Sequence, residues 1–172
     1  MPNEKNVQTQ YLGPTNNPDT YNEANPYPDT GALGQVLERN NRTYQFEHLD
    51  SGAAALAAPA ANDVLFWKDR TTYLVTTDSR FSNGARNNVA GVLRVAATAG
   101  RYVFALQRGD AISVKSDGNG AAGDIAIANS GTSADITRVA AGTAPTYQIL
   151  GKVTAAASGG FIAVDLNIDA AP

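Results

Sequence analysis

The chain has 172 residues and a mass of 17.9 kDa, room for one ordinary domain and an appendage; 43% of it is apolar, much of that alanine, and only 17% is charged. A net charge of −3 with singly scattered basic residues gives no electrostatic footing for nucleic acid. With zero cysteines, disulfides, cysteine–zinc sites and thiol chemistry are excluded, and no apolar run approaches the roughly 20 residues of a membrane helix.

The first ten residues, MPNEKNVQTQ, lack the apolar core of a secretory signal, so synthesis in a cytoplasm is expected. Residues 1–34 hold five of the eight prolines (Pro2, Pro14, Pro18, Pro26 and Pro28) together with six asparagines. Proline fixes φ, removes a donor and pushes the residue before it into extended geometry, so this stretch is predicted to be an extended arm. A linker of this composition ordinarily lacks aromatic residues. Tyr11, Leu12, Tyr21, Tyr27 and Leu33 therefore read as anchors for an arm lying on another surface, tyrosine offering contact area at low entropic cost.

Residues 35–172 read as an all-β domain, a compact sandwich or barrel. Thr43 to Leu49 alternates, with Tyr44, Phe46 and His48 on one face. Asp63 to Trp67 and Thr71 to Thr77 follow, then Val89 to Ala96, Arg101 to Gln107 and Ala111 to Lys115, the last two parted by a tight turn at Gly109-Asp110. Asp124 to Asn129, Ile136 to Ala140, Tyr147 to Ala155 and Phe161 to Ile168 complete the set. Ser51 to Ala61, SGAAALAAPAA, is interrupted by Gly52 and Pro59 and is expected to form a single turn or an apolar loop.

The β-domain repeats itself. GVLRVAATAGRYVFAL at 91–106 matches GKVTAAASGGFIAVDL at 151–166 without a gap, pairing Gly91 with Gly151, Gly100 with Gly160 and Leu106 with Leu166. Asp63-Val64-Leu65-Phe66 likewise matches Asp124-Ile125-Ala126-Ile127, with Gly123 before the second copy. Two pseudo-repeated halves, about 62–115 and 123–168, are the expectation.

Catalytic chemistry has little to build on. His48 is the single histidine, with Glu47 and Asp50 close in sequence, and a lone strand histidine is usually structural. There is no G-x-S-x-G elbow, H-E-x-x-H pair, P-loop or dinucleotide fingerprint, so no enzyme, cofactor or metal is expected. Arg108-Gly109-Asp110 spells an integrin-recognition tripeptide but sits where a hairpin turn is predicted. Asp117-Gly118-Asn119-Gly120 lacks the terminal acid of a calcium loop. Trp67, Phe66 and Tyr73 would form a stacking platform if the protein were an adhesin or carbohydrate-binding module at a phage tail or fibre tip; a core strand is the plainer reading of VLFW.

The passage AGVLRVAATAGRYVFALQRGDAISVKSDGNGAAGDIAIAN, followed by ILGKVTAAASGGFIAVDLNI, resembles the head decoration, or cement, proteins of tailed bacteriophages, over about residues 62–168. Matching positions are turn and scaffold residues: Gly91, Ala96, Ala97, Gly100, Gly109, Asp110, Gly123, Asp124 and Gly151; the arm lies outside the match. The resemblance implies a structural protein on the outer surface of the virion. It would bind the major capsid protein, self-associate as a homotrimer or dimer, and stabilise the lattice by bridging capsomers, with no nucleic-acid or membrane partner.

Overall fold

The computed structural model describes residues 17–24, 33–52, 58–78, 88–129, 135–145 and 148–168. Of the sequence expectations, Tyr11, Leu12, Tyr27 and most of the alanine-rich stretch after Gly52 lie outside these residues. The described chain is all-β and has no helix. Its strands are β1 (Asn22–Glu23), β2 (Val36–Arg39), β3 (Arg42–Leu49), β4 (Val64–Asp69), β5 (Leu74–Thr76), β6 (Val89–Leu93), β7 (Tyr102–Lys115), β8 (Ile125–Ala128), β9 (Ile136–Val139), β10 (Ile149–Ser158) and β11 (Phe161–Asn167).

Pairing closes the first half of the chain on itself. β3 runs parallel to β5, β5 pairs antiparallel with β4, β4 with β6, β6 with β7, and β7 returns to β3. This is a five-stranded ring, hereafter the first ring. The C-terminal half of β7 then pairs with β11, β11 with β10, β10 with β8 and β8 with β9. A single parallel bridge from Ile136 to Ser116, the residue after β7, closes a second ring in the same strand order. Closure removes the exposed edges that an open sheet would present.

The two rings share register as well as order. Phe66↔Thr76 and Trp67↔Val75 recur 61 positions later as Ile127↔Thr137 and Ala128↔Ile136. Leu65↔Gly91 and Phe66↔Val89, which step over Ala90 in a bulge, recur as Ala126↔Gly151 and Ile127↔Ile149, which step over Leu150. Glu47↔Val103 corresponds to Val114↔Ile162, and Leu93↔Ala105 to Val153↔Val164. The turns leading into β4 and β8 also coincide. Asp63 Oδ2 accepts the Ala60 N–H at 2.8 Å, and Asp124 Oδ2 accepts the Ala121 N–H at 3.0 Å. Asn62 and Gly123 then both take positive φ, at 72° and 97°.

Two corrections to the sequence reading follow from register. Leu106 corresponds to Asp165 rather than to Leu166, because the second copy is one residue shorter between Ala157 and Ile162 than the first is between Ala97 and Val103. The repeating unit also begins at β3, well before residue 62, and uses β7 twice.

The turn expected at Gly109-Asp110 is instead a bulge inside one continuous 14-residue strand. Arg108 is paired on both sides, with Thr43 and with Asn167, so the ladder carries through. Asp165 Oδ1 accepts the Ala111 N–H at 3.0 Å, which holds Ala111 at a φ of 50°. β2, which no alternation signals, adds to β3 across the two-residue Asn40-Asn41 turn, both residues at positive φ as such hairpins require.

Side chains from all five strands of the first ring, and from no strand outside it, fill its interior: Leu49, Leu65, Trp67, Val75, Ala90, Leu93, Val103 and Ala105. Close packing explains the glycine at the start of the repeated phrase. A Cβ on Gly91 would stand 2.7 Å from the Ala105 Cβ, and one on Gly151 would collide with the Asp165 carbonyl. The second interior, built on Leu150, Val153, Ile162 and Val164, runs on into the outer face of the first ring at Tyr44, Phe46, Phe104 and Leu106.

Candidate functional site

The N-terminal segment meets the body on that outer face. Asn17 to Thr20 forms a turn in which the Thr20 N–H donates to the Asn17 carbonyl at 3.0 Å and the Asp19 N–H to Asn17 Oδ1 at 3.1 Å, with Pro18 at the position its fixed φ favours. The turn presents Asp19 to two partners on β3: Arg42 Nη1 donates at 2.7 Å and the Tyr44 hydroxyl at 3.0 Å. Burial raises the Tyr44 phenol above its ordinary pKa. Tyr21 then inserts edge-on against Phe46 and Phe104, with ring centroids 5.8 and 5.3 Å away, and is only 4% exposed. Asn22 and Glu23 pair with Val103 and Tyr102, and the Asn22 side chain also bonds the Ala96 carbonyl and the Thr98 N–H.

Tyr21 is therefore a core residue of this chain and no anchor on a foreign surface, since its ring is already enclosed. Leu33, half-buried, packs against the same core. Residues 17–24 are part of the body and lie on this chain's own surface.

Beside this root an open groove of about 630 Å³ runs between the Asn40-Asn41 turn, the β7 bulge and the end of β11. Its walls carry three guanidinium groups (Arg39, Arg42 and Arg108) and three carboxylates (Glu38, Asp110 and Asp165), with Asn40, Asn41 and Asn167 between them. Arg42 belongs to both the groove and the root, so the Asn17 to Thr20 turn sits next to this polar surface. Mixed charge and carboxamides suit a polar chain that offers both donors and acceptors. Arg108 and Asp110, exposed on either side of buried Gly109, line the groove instead of standing on a loop tip.

A third surface lies on the second ring. From Val153 to Ala163 there is no charged residue, yet Thr154, Ala155, Ala156, Ser158 and Phe161 are exposed. Phe161 is 39% exposed, and Ile149, on the same strand pair, is 47% exposed. The corresponding first-ring residues, Tyr102 and Val89, are half-buried and buried.

The remaining predicted positions serve the scaffold. Gly100 and Gly160 take φ of 79° and 81° in the turns before β7 and β11. Gly123 and Asp124 form the turn into β8, where Asp124 also meets Arg138 at 3.6 Å. His48 stacks on Tyr102 at 4.6 Å, its Nε2 lies 3.3 Å from the Gly100 carbonyl, and Glu47 points to the opposite side of β3. Phe66 and Trp67 face opposite sides of β4 and are both buried, so they form no exposed platform with Tyr73. Asp117 closes its own turn, accepting from the Asn119 N–H at 3.0 Å and the Thr137 hydroxyl at 2.6 Å. Among the described residues no group of three or more histidine, aspartate or glutamate side chains is arranged to hold a metal ion. Asp19 and Arg42 carried no signal in the sequence beyond their residue types, and Glu47 stood out only as a neighbour of His48.

Neither protein-family models nor the curated proteins yield a match to this chain.

Proposed function

We propose that the protein is a virion structural protein of the head-decoration type, binding the outer surface of a capsid lattice and stabilising it by bridging capsomers. The observation that carries this reading is the pinned root. Asp19, Tyr21 and Asn22 fix the chain on the first ring, and sixteen residues that include Tyr11 and Leu12 precede Asn17. A tether launched from a fixed point reaches a neighbouring subunit at high effective concentration, and several tethers per oligomer multiply that gain. The free arm binds the major capsid protein, its backbone adding to sheet edges and its tyrosine filling a groove. The charge-free stretch from Val153 to Ala163 at the end of the β10–β11 hairpin suits self-association as a homotrimer or dimer.

The test is deletion of residues 1–16, which spares the core residues Tyr21 and Leu33. The truncated protein keeps the urea midpoint of the full chain and fails to co-sediment with expanded capsids. Full capsid occupancy by the truncated protein overturns the reading.

A further inference from the structure

The two interiors correspond position by position, and the largest departure is a polar group confined to the first ring. Gln45, Glu47 and Gln107 stand where the second ring has Ile112, Val114 and Leu166. The two carboxamides satisfy each other and nearby backbone. Gln107 Nε2 donates to Gln45 Oε1 at 2.6 Å and to the Ala90 carbonyl at 3.3 Å, and Gln45 Nε2 donates to the Gly34 carbonyl at 3.1 Å. Glu47 has no such partner. It is fully buried, and neither carboxyl oxygen makes a hydrogen bond.

Among the described residues, the strands that wall it send no charged side chain inward. β3 sends in Gln45 and Leu49, β7 sends Val103, Ala105 and Gln107, and β4, β5 and β6 send only apolar groups. The phenol of Tyr73 packs on Trp67 at the margin, while Lys68 and Asp50 pair with each other at 2.8 Å outside. Burial alone holds the Glu47 carboxyl well above the ordinary carboxylate range. Among the described residues an anion here would find neither cation nor donor, the arrangement that low-dielectric surroundings penalise most.

Glu47 lies between the two outward-facing residues Phe46 and His48, and Phe46 is the wall against which Tyr21 packs. Arg42 and Tyr44, which hold Asp19, are on the same strand. We propose that Glu47 is a protonation lock: as the neutral acid it lets the first ring close beneath the N-terminal root, and its ionisation opens the ring and releases residues 17–24. The device goes beyond capsid binding and acts in the isolated chain.

The sign follows from linkage. The unfolded chain ionises Glu47 near its ordinary pKa of about 4.3, the folded ring only at higher pH. Stability from the lock is complete below the unfolded value and is lost as pH rises through the folded one. Trp67, the single tryptophan, lies in the first interior and reports that ring selectively. Urea unfolding of the full chain is followed by Trp67 fluorescence from pH 4 to 9 in the wild type, Glu47→Gln and Glu47→Val, the last carrying the second ring's residue. Hydrogen exchange at residues 17–24 is read in parallel.

Relative to either variant, the wild-type unfolding constant rises by up to about tenfold per pH unit above pH 5, the linkage of one proton. Root protection falls with it in the wild type alone. Asp135, raised by burial in the second ring, contributes equally to all three chains and cancels. Parallel pH profiles for wild type and Glu47→Gln overturn the lock, and root protection that persists while the Trp67 signal is lost overturns the release. If Glu47→Val fails to fold, Glu47→Gln, neutral at every pH, still decides.

Discussion

Phe46 and Ser113 occupy the same position in the two rings, as do Val89 and Ile149, yet Phe46 and Val89 are buried while Ser113 is exposed and Ile149 is 47% exposed. The scaffold beneath each pair is alike in strand order, register and bulge. What differs is the cover. The first ring has Tyr21 on its outer face, with β1 and β2 paired to the edges of β7 and β3, and among the described residues nothing equivalent covers Ser113 and Ile149 on the second ring. Inside, the assignment is reversed in part: the second ring is apolar at three positions where the first holds Gln45, Glu47 and Gln107, while Ser116 replaces Leu49 near its closing bridge. Strand alternation fixes which side chains face inward, and it leaves each face free to become core or surface.

Substitutions at matched positions probe this difference directly. Phe46→Ala removes a side chain packed on Tyr21, Tyr102 and Phe104 and is expected to cost about 3–5 kcal/mol, whereas Ser113→Ala should stay within about 0.5 kcal/mol. Urea denaturation measures both, and similar costs would mean that the two outer faces do not differ in cover. The matched turns give a smaller contrast. Asp63 is nearly enclosed, and Lys115 Nζ stands 3.2 Å from its second oxygen, close enough for charge attraction though not aligned for a hydrogen bond. Asp124 is a little more open, with Arg138 at 3.6 Å. Asp63→Ala should cost about 2 kcal/mol and Asp124→Ala about 1 kcal/mol, compared by thermal melting. The most local effect is expected for Tyr44→Phe, which deletes the hydroxyl on Asp19 and should lower stability by about 1 kcal/mol, with hydrogen exchange rising first at residues 17–24. A uniform rise across both rings would contradict a locally held root.

The strands that alternate, such as Thr43 to Leu49, and the repeated phrases around Gly91, Gly151, Asp63 and Asp124 were legible because their chemistry is local. Ring closure was not, because the parallel pair of Leu49 with Val75 and the bridge of Ser116 with Ile136 join segments with no shared local signal. Gly109-Asp110 reads as a turn because glycine and aspartate serve a bulge equally well; only Asp165, more than fifty residues later, selects the bulge. Gln45 and Glu47, alternating with Tyr44, Phe46 and His48, look from sequence like a solvent face. The ring turns that face into an interior. Tyr21 read as an external anchor because nothing in a proline-rich segment tells which aromatic surface it meets.

β7 belongs to both rings, and this has a consequence for modularity. Most duplicated proteins can be divided at a linker, since each copy owns its walls. Here a cut after Lys115 leaves the downstream piece without Ile112 and Val114, an entire side of its interior. A cut before Tyr102 deprives the upstream piece of the strand that closes its circle. The halves are alike but not severable, so insertions are expected to be tolerated at the outer turns, such as Asn40-Asn41 or Gly159-Gly160, and nowhere along the common strand.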